Sequence, residues 1–221
     1  MPEPPPPVKS LIIGDYAMKI NDTITISPSQ IYTIMLGTPE QRADLFLIKT
    51  GRKEKPKRTE PMEWGILLEP VVLNYELSRR DSPENIGITQ IKLRHPSIDW
   101  FYGYADYWWA GKLEGKRSKS KAAIMEVKTT RNSVNVRNAI PRGWSLQIQA
   151  MLSMTDDVIG IPITHCDLLC LSQTNSYTTT TIEPDKAIQG EIIKAATSFR
   201  KCIMDDDMGA CLLYTSDAAD E

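Results

Sequence analysis

Ala122-Ala123-Ile124-Met125-Glu126-Val127-Lys128 is an apolar run that delivers a carboxylate and, two residues later, an ammonium. A run this short and apolar reads as a strand. Successive side chains on a strand point to opposite faces, so Glu126 and Lys128 share one face while Val127 packs on the other. Upstream, Asp106 follows Phe101-Tyr102-Gly103-Tyr104-Ala105, and Glu69 closes Trp64-Gly65-Ile66-Leu67-Leu68 just ahead of Pro70. Each signal is weak alone: a Glu-x-Lys pair commonly decorates an exposed strand, Asp106 could bond a turn, and Glu69 could cap a helix. Their apolar settings lift the set, because a buried carboxylate without a cation beside it is costly.

The chain of 221 residues has 41% hydrophobic and 24% charged residues, as expected of one globular domain or two small ones rather than a disordered or fibrous chain. No apolar run approaches the roughly 20 residues that span a bilayer. Met1-Pro2-Glu3-Pro4-Pro5-Pro6-Pro7 lacks the basic-then-apolar order of a signal peptide, so a cytoplasmic location is expected. Four cysteines (Cys166, Cys170, Cys202, Cys211) and two histidines (His95, His165) are too scattered for a disulfide framework or a zinc module. The cysteines read as structural.

The net charge is −2, but the bases are clustered. Lys49, Arg52, Lys53, Lys55, Lys57 and Arg58 form one basic stretch, and Lys112, Lys116, Arg117, Lys119 and Lys121 a second. Both could track a phosphate backbone, and both could equally be solvated loops. Residues 212–221, Leu-Leu-Tyr-Thr-Ser-Asp-Ala-Ala-Asp-Glu, resemble the translation of a sequencing adapter. Leaving out the acids Asp217, Asp220 and Glu221 moves the net charge from −2 to +1, and the tail is set aside from fold reasoning.

Residues 1–10 are proline-rich and expected to be disordered. Ser27-Pro28 reads as a helix start, Gly37-Thr38-Pro39 as its stop, and Pro39–Lys49 as a second helix. Trp64, Leu68, Val71, Val72 and Tyr75 recur at helical spacing, which predicts a core-packed helix carrying Glu69. Pro70 either kinks that helix or begins it. Strands are expected at Ile86–Leu93, Phe101–Trp109 and Ala122–Thr129, with a turn over His95–Trp100 and a lysine-rich tip over Ala110–Lys121. Pro141–Met154 reads as a helix, Cys166–Leu171 and Tyr177–Ile182 as strands, and Asp185–Met204 as a last helix. This order predicts one α/β domain over residues 11–211, a central mixed β-sheet flanked by helices.

Asp106 followed by Glu126-x-Lys128 is similar to the Asp…(Asp/Glu)-x-Lys motif of the PD-(D/E)xK, restriction-endonuclease-like superfamily. Gly65-Ile66-Leu67-Leu68-Glu69-Pro70, Gln147-Ile148-Gln149, Ser29, Gly37 and Leu45-Phe46-Leu47-Ile48-Lys49-Thr50-Gly51 together resemble the YqaJ-like viral recombinase family of lambda-exonuclease-like phage nucleases. The resemblance runs from about Ser27 to Met204. It implies a restriction-endonuclease-like core and a Mg2+-dependent exonuclease, with Mn2+ as a possible substitute, that degrades one strand of a DNA duplex from its end for recombination. Its expected partners are duplex DNA, a single-strand annealing recombinase and further copies of itself in a ring trimer. By carry-over, Glu69, Asp106, Glu126 and the carbonyl of Val127 would hold the metal, Lys128 would be the catalytic lysine, and Gln147 would line the site. Ser29 would lie near a terminal phosphate, and Lys116, Arg117, Lys119 and Lys121 would contact DNA. The chain departs from the family in having Lys19 but no arginine over Asp15–Ile26, and in a longer basic loop. Alternatives within this frame are an endonuclease, a Cas4-like nuclease disfavoured by the missing cysteine cluster, and a non-cleaving recombination accessory that binds DNA.

Overall fold

The computed structural model describes residues 24–80, 86–110, 122–156, 161–172 and 176–212. A one-turn 3-10 helix at Pro28–Gln30 leads into α1 (Ile31–Leu36), followed by α2 (Pro39–Lys49) and α3 (Glu60–Leu77). Strands β1 (Ile86–His95), β2 (Ile98–Ala110) and β3 (Ala122–Thr130) come next, then α4 (Arg142–Leu152). The chain continues through β4 (Thr155–Asp156), β5 (Ile163–Ser172), β6 (Tyr177–Ile182), α5 (Lys186–Met204) and α6 (Met208–Leu212). The strands form one sheet in the order β4-β1-β2-β3-β5-β6, parallel only between β3 and β5. The expected mixed sheet flanked by helices is therefore the observed architecture.

Local chemistry explains the helix boundaries. Pro39 occupies the first turn of α2, the Gln41 amide donates to Thr38 Oγ1 at 3.3 Å, and the Thr38 amide donates to Gln41 Oε1 at 2.9 Å. Asp185 accepts from the Ala187 and Ile188 amides at 2.9 and 3.1 Å to start α5. The sheet then divides the core. Ile124, Trp108, Phe101, Cys166 and Leu168 face one cluster with Ile148, Met151 and Phe199 from α4 and α5. On the other face Met125, Val127, Tyr107 and Leu169 meet Val72 and Leu73 of α3. Strand alternation thus puts the Glu126–Lys128 face of β3 toward α4 and the Val127 face toward α3.

Three expectations are corrected. Trp64, Val71 and Tyr75 are exposed, at 53%, 60% and 48%, while Val72 and Leu73 are buried. Helix α3 lies on the sheet through the Gly65 side, where an added Cβ would sit 3.5 Å from Thr129 Oγ1, so of the expected stripe Val72 is buried and Leu68 partly so while Trp64, Val71 and Tyr75 point outward. Of the two readings of Pro70, a helix start there is excluded, because α3 begins at Glu60; Pro70 lies inside the helix on an exposed flank, where water can reach the carbonyl that lost its donor. The turn before β2 is confined to Pro96-Ser97, and pairing resumes at Ile98. Strand β4 and helix α6 were not anticipated, because two and five residues are too few to show a period. Leu212 ends α6, and its carbonyl accepts from Arg42 at 3.5 Å. Residues 1–23 and 213–221 lie outside the described residues. Among those described, no helix is long and apolar enough to cross a membrane.

Candidate active site

Asp106 sits where two hydrogen-bond ladders are interrupted. On one side, β1–β2 pairing steps from Thr89–Tyr107 to Ile91–Ala105, so Gln90 lies opposite Asp106 without pairing to it. On the other side, β2–β3 pairing ends at Tyr107–Met125. The Val127 amide, which a continued ladder would give to backbone, donates instead to Asp106 Oδ2 at 2.7 Å. In a strand the N–H and C=O of one residue point to the same side. The Val127 carbonyl therefore lies on the same side of β3 as its amide, toward β2.

Glu126 and Lys128 share a face of β3, and Lys128 Nζ donates to Glu126 Oε1 at 2.8 Å. Gln147 of α4 completes a triangle: its Nε2 donates to Glu126 Oε1 at 2.7 Å, and its Oε1 accepts from Lys128 at 2.9 Å. The Glu126 side chain is only 5% exposed and that of Lys128 20%. Among the described residues, the buried Glu126 Oε2 has no hydrogen-bond partner. An ionised oxygen in that condition is costly unless a cation meets it.

Glu69 approaches from α3 and accepts from Gln90 Nε2 at 2.6 Å. Burial, then the Glu126 charge, pushes the Glu69 carboxyl above its ordinary range, opposed by the Gln90 bond and by Lys128. The Asp106 carboxyl is pushed up to about 8, by burial first and then by Glu126 and Glu69, against the Val127 bond and Lys128. Glu69, Asp106, Glu126 and Lys128 thus feel one another. Among the described residues, no group of three acidic, histidine or cysteine side chains is placed so as to hold an ion. The donor set nevertheless fits a hard divalent cation: oxygen ligands only, one of them an orphaned carboxylate oxygen, in a region where negative charge is disfavoured.

The remaining candidates stand apart. Ser29 is exposed on the Pro28–Gln30 turn, its hydroxyl 3.0 Å from that of Ser27, and no contact among the described residues joins it to the carboxylates. Lys116, Arg117, Lys119 and Lys121 lie outside the described residues. The first basic stretch is partly spent on the fold. Lys49 donates to the Thr25 carbonyl and is pulled down to about 8 by burial and then by Lys55. Arg52 pairs with Asp206, and Lys53 with Asp44 at 2.6 Å. Lys55, Lys57 and Arg58 are exposed. Cys166 and Cys170 are buried free thiols in β5, as a structural role requires.

Sequence reading missed two features. Gln90 reaches Glu69 from a backbone at φ +53°, a conformation nothing in its residue type announces. A cleft of about 260 Å³ opens beyond the end of β3, lined by Pro61, Trp64, Leu68, Thr129, Thr130, Arg131, Leu171 and Ser172. The signal for the cleft was present, since Thr129-Thr130-Arg131 continues directly from Lys128.

No protein-family model matches the chain, and no curated protein matches it. Solved structures do. An alkaline exonuclease (LHK-Exo) from Laribacter hongkongensis superposes with a TM-score of 0.60 at 16% identity, covering 84% of this chain and 91% of that one. Its complex with dAMP gives 0.60 at 18% identity over the same shares. A phage-related exonuclease from Haemophilus somnus gives 0.57 at 10% identity, covering 83% of this chain and 96% of that one. At such identities the likeness is one of fold: the chain shares the architecture of these exonucleases over most of its length.

Proposed function

We propose that this chain is a Mg2+-dependent deoxyribonuclease, an exonuclease that hydrolyses phosphodiester bonds from the ends of linear duplex DNA. The reading rests on one observation: Glu126, Lys128 and Gln147 form a closed hydrogen-bonded triangle beside Asp106, at the break of two strand ladders. The shared fold with exonuclease structures supports it.

Asp106, Glu126, the Val127 carbonyl and Glu69 would hold the ion, with Mn2+ as an alternative to Mg2+. Bound there, it would neutralise the phosphate and lower the pKa of a coordinated water. Of the three N–H donors of Lys128, two are engaged by Glu126 and Gln147; the third is available to orient the attacking water or to meet charge developing on phosphate. Gln147 fixes both partners, so the lysine cannot swing away without breaking two bonds. A DNA strand passing the site would meet the cleft, where Trp64 offers a ring for stacking and Arg131 a charge for phosphate. A supply of single-stranded DNA to a phage-type annealing partner, and assembly into a ring, extend this reading.

Incubation of linear and circular duplex DNA with the protein and Mg2+ tests it. Release of nucleotides from linear DNA alone, abolished by EDTA and by Glu126→Ala, is the expected result. Nicking of circles would make the protein an endonuclease. DNA binding without cleavage, identical in Glu126→Ala, would make it a non-cleaving accessory.

A further inference from the structure

Each carboxylate of the proposed metal site has its own donor. Asp106 is fixed by the Val127 amide, and Glu126 by Lys128 and Gln147. Glu69 differs because it rides on α3, a helix laid against the sheet, rather than on a strand of the sheet itself. Among the described residues, the donor that orients its carboxylate is the Gln90 amide at 2.6 Å.

That bond depends on an unfavourable backbone. Gln90 has φ +53° in the middle of an otherwise extended strand, a region in which non-glycine residues are strained. The distortion coincides with the gap in the β1–β2 ladder opposite Asp106. The neighbouring Ile91 and Leu93 are buried, at 4% and 0%, so the strand recovers its register at once. A single left-handed residue re-aims one side chain without displacing the rest, much as a bulge does. Gln90 itself is exposed and adds nothing to the core, so packing does not account for the strain.

We infer that Gln90 is a positioning residue, held in a strained conformation so that its amide presents the Glu69 carboxylate to the metal site. This rests on the nuclease reading above. The amide engages Glu69 Oε1 and links α3 to the sheet at the level of Asp106.

The test compares the parent with Gln90→Gly and Gln90→Asn by thermal melting in EDTA, the rise in Tm on adding Mg2+, and cleavage rates over a Mg2+ series. Glycine adopts the left-handed conformation without penalty, and asparagine tolerates it but is one methylene short of Glu69. In EDTA both variants should melt at or above the parental temperature, Gln90→Gly by up to roughly 4 °C. Both should lose most of the Mg2+-induced rise in Tm, need about tenfold more Mg2+ for half-maximal rate, and keep the parental KM for DNA. A lower Tm in EDTA would make Gln90 a structural residue and overturn the inference. Unchanged Mg2+ dependence would overturn it as well. A parent that neither cleaves nor responds to Mg2+ would instead sink the nuclease reading, and the inference with it.

Discussion

The Val127 amide donates to the Asp106 carboxylate at 2.7 Å, at the point where β2 and β3 cease to pair through their main chains. A side chain has replaced a ladder acceptor, which binds the acid to the neighbouring strand and opens the sheet beside Glu126. The cost is electrostatic, since Asp106 is half-buried beside other acids and its carboxyl is pushed up to about 8.

Asp106 makes the metal-free protein sensitive to pH. In the unfolded chain an aspartate loses its proton near pH 4, whereas in the folded protein it keeps it until about pH 8. Between these values the folded state binds more protons, so stability falls as pH rises from about 4 to about 8 and levels off above. Urea melts in EDTA should show this decline, and Asp106→Asn should flatten it while retaining an acceptor for Val127. The same variant should lose at least ~100-fold in cleavage. An equally steep decline in Asp106→Asn would exclude this residue as its source.

Removing Lys128 separates catalysis from stability. Lys128→Met leaves a nearly buried Glu126 without its cation, a loss of roughly 3–5 kcal/mol in metal-free denaturation. Cleavage should fall by about 10²–10⁴-fold. Adding Glu126→Gln removes the stranded charge and should restore most of the stability but none of the activity. Recovery of both in the double variant would refute the catalytic role.

The cleft beside α3 should contribute to binding rather than folding. Trp64 is half-exposed, so Trp64→Ala is expected to change stability by under about 0.5 kcal/mol. Its affinity for DNA should weaken by about 1–3 kcal/mol if a base stacks there. Arg131→Ala should lower the slope of log affinity against log salt by about 1. Titrations at several salt concentrations measure both, and unchanged affinities would leave the cleft outside the DNA path.

A second polar network anchors the far end of α3. Arg80 donates to Glu76 at 2.9 Å and to Asp167 at 2.8 Å, and Tyr177 donates to Glu76 at 2.6 Å. Asp167, only 7% exposed, also accepts from Thr181 at 2.8 Å. Asp167→Ala should cost about 1–3 kcal/mol. Breaking the exposed Arg52–Asp206 pair should cost under about 1 kcal/mol. Equal losses would show that burial does not set the difference.

The sequence by itself determined every strand but β4, most helices and the facing of Glu126 and Lys128. Those features follow from periods of 2 and 3.6 and from caps such as Thr38 and Pro39, all local properties of the chain. It could not decide which side of α3 meets the sheet. Trp64, Val71 and Tyr75 form as good an apolar stripe as Val72 and Leu73, and only docking chose the side with Gly65 and Glu69. Nor could it show the contacts that make the site. Gln147 lies 21 residues from Glu126 and Gln90 lies 21 from Glu69, and each reaches its partner only because helices and strands pack together. The left-handed conformation at Gln90 runs against the preference of the residue itself, so no local pattern carries it.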